Sequence, residues 1–244
     1  MSTTRTLTPT RRLLSTPRPQ PQSKHQHPRR TFLTLPSPPP QTLTAARRLP
    51  YPYLHLYDLI ADIDSYVTFL PYCQTSRVTH WTTPSSSSPS ATRRWPTRAD
   101  LTAGWGGFQE TYTSRVFCIP SLGIVEAISG DARTLIPIST LREHGLSDTG
   151  PGTRGVSDGG VFKSLVTRWT VSPAGGEEAS GWSDVRLSIK YQFANPVYMA
   201  VSSAVADKVA PVMVEAFVER ARRILGEPGK GEGEEKKKDV GALR

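Results

Sequence analysis

Residues 185–193 read VRLSIKYQF, and the fold turns on how this stretch is read. Val185, Leu187, Ile189, Tyr191 and Phe193 fall on one side; Arg186, Ser188, Lys190 and Gln192 fall on the other. Strict alternation over nine residues predicts an antiparallel strand with one face on a core and one in water. Directly after it, Asn195 is a favourable helix cap, and Pro196 suits the first helical position, where a missing N–H costs nothing. Val197, Val201, Val205, Val209, Val212 or Met213, Ala216 and Phe217 then trace a helical apolar stripe. Arg220, Arg222 and Arg223 load its last turns, Gly226 ends it, and Pro211 is expected to kink it. A half-buried strand therefore feeds a long C-terminal helix.

The same periodicities extend upstream. Residues 41–49 read as a first strand. Residues 53–63 carry Leu56, Leu59 and Ile60 on one helical face, and a second short helix, capped by Asp64 or Ser65, runs to Leu70 before Pro71. Strands are predicted over 74–81, 99–105, 108–119, 124–129 and 162–171. Ser- and Gly-rich pieces at 82–94 and 172–181 read as loops, Gly106-Gly107 as a tight turn, and 130–160 as a disordered insertion. The expected class is α+β: a curved antiparallel sheet of six to seven strands, two short helices after the first strand, and a long helix across the concave face. The space between sheet and helix is then filled by side chains or left as a cavity.

Charge is uneven. Residues 1–49 hold eight Arg and Lys24 with no acid, so residues 50–244 balance at 21 basic against 21 acidic. The pI of 9.8 belongs to the leader and not to the body, which argues against nucleic acid as partner. An Arg-, Ser- and Thr-rich, acid-free N-terminus has the composition of an organellar transit peptide, although nine prolines interrupt any continuous amphipathic helix. The expected organisation is a transit peptide and disordered leader over 1–40, one domain over 41–226, and a disordered charged tail over 227–244. No apolar run approaches the ~18 residues that span a bilayer, so membrane contact would be peripheral.

Catalytic patterns are weak. Cys73 and Cys118 make no disulfide framework and have no metal-type spacing, and His25, His27, His55, His80 and His144 lack metal-spaced partners. Cys73 with His55, or Cys118 with His80, is a nucleophile pair by residue type alone. Glu110 and Glu126 act together only if both enter a cavity. GWGG and GVSDGG lack the lysine and the strand–helix context of a phosphate loop. No catalytic residue, metal or cofactor is assigned.

Three strings, LYDLIADIDSYVTFLPYC (56–73), GWGGFQETYTSRVFC (104–118) and IKYQFANPVYMAV (189–201), resemble the mitochondrial coenzyme Q-binding proteins of the START and polyketide-cyclase-like superfamily, fungal members in particular. The resemblance covers 41–225 apart from the insertions. It implies the helix-grip fold, with ubiquinone bound between sheet and helix and a non-enzymatic chaperone or carrier role. It further implies support of respiration and coenzyme Q biosynthesis at the matrix face of the inner membrane, with biosynthetic or respiratory complexes as expected partners. A quinone needs an apolar tunnel and one or two donors for its oxygens; each buried CH₂ of its tail contributes about 0.8 kcal/mol. The expected wall comprises Phe69, Leu70 and Pro71 at the lip and Leu101, Trp105, Phe108, Tyr112 and Val116 on the middle strands. Leu187, Ile189, Tyr191 and Phe193 continue it on the last strand, and Val197, Val201, Val205 and Met213 on the helix. Tyr112 and Tyr191 are the candidate donors, and every one of these residues also suits a plain core. Lys208, Arg220, Arg222 and Arg223 are the expected contacts with an anionic membrane. Two rival readings remain: a cyclase or aromatase on the same fold, and a ribosome-associated module as in bacterial relatives. The long 130–160 segment and Pro211 depart from the family pattern.

Overall fold

The structure, a computed structural model, describes residues 39–83, 93–105, 108–148, 162–175, 181–194 and 196–227; the side chains at 105, 108 and 196–207 are not among those described. The chain divides into Met1–Thr34 and Leu35–Arg244, and every described residue falls in the second unit. The leader, the Gly106-Gly107 turn, Asn195, most of the 82–94 loop and the tail beyond 227 thus lie outside the described residues.

Seven strands form one antiparallel sheet: β1 (Gln41–Leu49), β2 (Cys73–Trp81), β3 (Pro96–Trp105), β4 (Phe108–Ile119), β5 (Ile124–Gly130), β6 (Phe162–Pro173) and β7 (Ser183–Phe193), in the order β1-β7-β6-β5-β4-β3-β2. Consecutive strands are neighbours except that β1 closes against β7, pairing Gln41 with Tyr191 and Leu49 with Ser183. In β7 the alternation is realised residue by residue: 185, 187, 189, 191 and 193 are buried, and Arg186 and Lys190 are exposed. Gly123 permits the tight β4–β5 connection. Its φ is +62°, and a Cβ there would lie 1.8 Å from the Val171 carbonyl oxygen, so only glycine lets β6 approach so closely.

Helix α1 (Tyr53–Ala61) and the long helix α3 (Pro196–Leu225) share the concave face. Helix α1 buries Leu56, Tyr57, Leu59 and Ile60. The second short helix is a 3₁₀ helix, Ile63–Thr68, and ends two residues before the expected Leu70. Its capping also differs from expectation: the Ser65 hydroxyl donates to the Asp62 carboxylate, and Asp64 accepts the N–H of Val78, which ties the turn to β2. Helix α3 passes through Pro211 and buries Ala210, Val214, Phe217, Val218 and Ala221. Arg47 of β1 donates to Glu215 at 2.7 Å and fastens one flank of α3 to the sheet edge.

The insertion expected to be disordered is in its first half a packed outer layer. Residues 131–148 cross the convex face and include α2 (Ile138–Glu143). Ala132, Ile136 and Leu141 join Phe117, Ile119, Ile128 and Val166 in a second core. Beneath it the fully buried Glu126 accepts from Thr134 and, at 2.6 Å, from Arg168 Nε. Glycine and serine content hid this layer, because its apolar residues are spaced as a loop with one short turn of helix. The remainder of the insertion lies outside the described residues.

Candidate functional site

Between the concave face and α3 lies a cavity of about 230 Å³. Register explains its floor. Val116 pairs with Ala127, Ala127 with Thr167, and Thr167 with Ile189, which forms one row across β4 to β7. Next to it run Ala99 and Ser114, and then Leu101 and Tyr112. Alanine, serine and threonine at the middle of this floor leave unfilled the volume that larger side chains would occupy in a close-packed interior. The roof is Val209 and Met213 of α3, and the lip is Leu70, Pro71, Tyr72 and Cys73.

One end is closed by aromatic rings. Phe217 of α3 lies 4.5 Å from Trp169, 4.9 Å from Phe69 and 5.4 Å from Tyr66, centroid to centroid. Such edge-to-face pairs contribute ~0.5–1.5 kcal/mol each beyond burial. The Arg220 guanidinium lies 4.5 Å over the Phe69 ring while donating at 2.8 Å to Asp62. At the other end, Phe162 packs on Tyr112 at 6.5 Å, Tyr191 at 6.1 Å and Phe193 at 5.2 Å.

The cavity's polar groups are few and neutral. Burial raises the Tyr112 phenol to about 12, so it is a protonated donor at neutral pH, and among the described residues its hydroxyl has no hydrogen-bond partner. Tyr191, the other expected donor, is committed to Gln41 at 2.6 Å. Ser114 and Ser129 share one hydrogen bond of 2.7 Å. Because each hydroxyl carries a proton, that bond uses only one of the two. Burial also raises the Cys73 thiol at the lip. No Asp, Glu, His, Lys or Arg lies among the described residues that line the cavity.

The expected wall is partly met. Leu70, Pro71, Leu101, Tyr112, Val116, Ile189 and Met213 line the cavity. Phe69 does not; it stands behind the lip, sandwiched between Phe217 and Arg220. Leu187 is core beside the cavity, while Tyr191 and Phe193 join the Phe162 cluster. The side chains of Trp105, Phe108, Val197, Val201 and Val205 lie outside the described residues. Val125, Ala127, Leu165, Thr167 and Trp169 of β5 and β6 were missed. The alternation that located β7 identifies them once it is carried across two more strands.

The other expectations also resolve. The Cys118 thiol is buried beside the Tyr57 hydroxyl and pushed up to about 12, chiefly by burial, and His80 is exposed. The Cys118–His80 pairing is therefore not formed. Glu126 sits under the convex layer and not in the cavity, so a Glu110–Glu126 pair is not formed there. Of the four expected membrane cations, Lys208, Arg222 and Arg223 are exposed, whereas the Arg220 side chain is only 11% exposed and turned inward onto Asp62. Among the described residues, no cluster of His, Cys, Asp and Glu suits a metal ion, and no helix is long and apolar enough to cross a membrane.

A family model described as polyketide cyclase / dehydrase and lipid transport matches residues 49–218. The chain belongs to that family. A protein of Schizosaccharomyces pombe, "Coenzyme Q-binding protein coq10, mitochondrial", is 29% identical over 73% of this chain and 85% of its own. "Ribosome association toxin RatA" of Pseudomonas aeruginosa is 27% identical over 73% of this chain and 93% of its own. Among solved structures, a START superfamily protein from Mycobacterium smegmatis superposes with a TM-score of 0.51, covering 75% of this chain and 97% of that one. At 10% identity this last likeness establishes the fold alone. The fold is thus the one the sequence resemblance implied.

Proposed function

We propose that this protein binds coenzyme Q in the cavity under α3 and acts as its chaperone, without catalysing a reaction. The observation that carries the reading is an apolar cavity with a few neutral polar side chains, among them the protonated Tyr112 hydroxyl, which no described residue engages. Such a site offers a hydrogen bond to a quinone oxygen and an apolar surface to its ring and first tail carbons. The fungal relatives named for coenzyme Q binding support this choice of ligand. A cyclase needs groups that take and return protons at neutral pH. The described lining offers phenols and a thiol, of which burial holds Tyr66, Tyr112 and Cys73 protonated. The mitochondrial names of the relatives and the acid-free, Arg-rich leader support a mitochondrial location. Within it, the matrix face of the inner membrane and support of respiration and coenzyme Q biosynthesis complete the reading.

The test is equilibrium titration of the full chain with the dimethoxy-methyl-benzoquinone ring carrying one isoprene unit, alongside a Tyr112→Phe variant. Saturable binding is expected in the parent. About tenfold weaker binding is expected in the variant, which loses one hydrogen bond of ~1.4 kcal/mol. A folded parent that binds no such quinone overturns the reading.

A further inference from the structure

The cavity is small for the molecule it is proposed to serve. Its volume of about 230 Å³ lies below the ~300–1,000 Å³ of pockets that enclose drug-sized ligands. A six-membered ring with methyl and methoxy groups fits such a space; a chain of many isoprene units does not.

The walls set this limit. Beyond one end stand Tyr66, Phe69, Phe217 and Trp169, with Phe69 held from behind by the ion-paired Arg220. Beyond the other stands the Phe162 cluster. Interiors are close-packed, so lengthening the void in either direction requires several rings to move together. The lining reaches the surface at the lip, where Tyr72 is 43% exposed and Pro71 and Cys73 are half-buried. Close by in sequence on the 3₁₀ helix, Val67 is also 43% exposed.

We propose that the cavity takes only the ring end of a quinone, and that the tail stays in a lipid bilayer against which the lip and the neighbouring 3₁₀ helix dock. The inference rests on the quinone-binding reading above and changes what that function means physically. The protein caps a membrane-resident molecule; it does not ferry the whole lipid through water. An isoprenoid tail already in hydrocarbon gains nothing by entering an apolar tunnel, whereas the polar ring gains a hydrogen-bonded site at the membrane surface.

The experiment titrates the full chain with the dimethoxy-methyl-benzoquinone ring carrying zero, one, two or three isoprene units, and reads quenching of tryptophan fluorescence, since Trp169 lines the cavity. Affinity is expected to rise with the first unit and to change by less than about threefold thereafter. A buried unit would instead add roughly a hundredfold or more, so a continuing climb through the third unit overturns the proposal. Absence of binding at every length overturns the quinone reading as well, and the two failures are thereby told apart.

A second arm mixes the full chain with phosphatidylcholine vesicles containing a ten-unit ubiquinone. Co-sedimentation that exceeds capture by quinone-free vesicles, with no quinone left in the supernatant, is expected. Val67→Glu should weaken this capture at least tenfold while leaving the tail-less ring bound as in the parent. A soluble protein that carries the ten-unit quinone in the supernatant overturns the proposal.

Discussion

Two side chains show how burial decides what a residue type does. Arg220 belongs by sequence to a basic cluster with Arg222 and Arg223, yet it is the only one of the three turned inward, donating to Asp62 and covering the Phe69 ring. Arg220→Ala should remove a cation–π contact and a charge-assisted hydrogen bond and should cost about 2 kcal/mol. For a domain of this size that lowers Tm by roughly 4–8 °C. Arg222→Ala, whose 3.7 Å pair with Glu219 is exposed, should stay within about 0.5 kcal/mol. Thermal unfolding of both variants checks the contrast, and equal shifts would show that the inward arginine is not a clamp. Cys118 makes a pH prediction. Its thiol is held near 12 in the fold against an ordinary value of 9.0, so the folded state keeps a proton that the unfolded state releases. That contribution to stability is complete below pH 9 and is lost as pH rises through about 12. Tyr112, raised from 10.0 to about 12, adds to the same alkaline limb. Urea midpoints at pH ~8 and ~10.5 should fall less steeply in Cys118→Val than in the parent, and parallel slopes would refute the assignment.

At the scale of elements, what the sequence disclosed depended on whether a pattern was periodic. Strand β7 and helix α3 were legible because each presents one repeating face over many residues, and the neighbouring strands followed with ends misplaced by up to three residues. The short helix expected to run to Leu70 is a 3₁₀ turn, Ile63–Thr68; Ser65 donates locally to Asp62, and the bond from Val78 to Asp64, which the local sequence does not disclose, comes from packing against β2. The convex layer was illegible for a related reason. Nothing in the sequence marks Glu126 on its strand as the buried partner of Thr134 and Arg168. Pro211 was recognised, and its consequence is testable. It sits in the helix interior and is exposed, so it removes the hydrogen bond to the carbonyl of residue 207 with no compensating contact among apolar neighbours. Pro211→Ala should raise stability by about 1–3 kcal/mol, read as a higher urea midpoint at unchanged slope. No gain would mean that packing on the sheet already offsets the missing hydrogen bond.

At the scale of the whole molecule, the cavity is where stability and binding pull apart. A void lined by apolar atoms is costly: by the scaling of ~24 cal/mol per Å³ found for engineered cavities, 230 Å³ left empty corresponds to roughly 5 kcal/mol. A chain selected for stability alone would have larger residues at Ala103 and Ala127. Both alanines stand on the cavity wall, Ala127 in the row between Val116 and Thr167. The double substitution Ala103→Leu, Ala127→Leu should therefore raise Tm or leave it unchanged, because the added methyl groups enter space that already exists. Quinone binding should fall by at least a hundredfold, because the ring and the leucines compete for the same volume. The pairing of outcomes is what discriminates. A variant that loses binding and stability together has only been overpacked. One that gains stability and still binds the ring moves the ligand elsewhere, and with it the role of Tyr112. Stability kept and binding lost would mean that the small residues on the floor of the sheet are retained for the ligand and not for the fold.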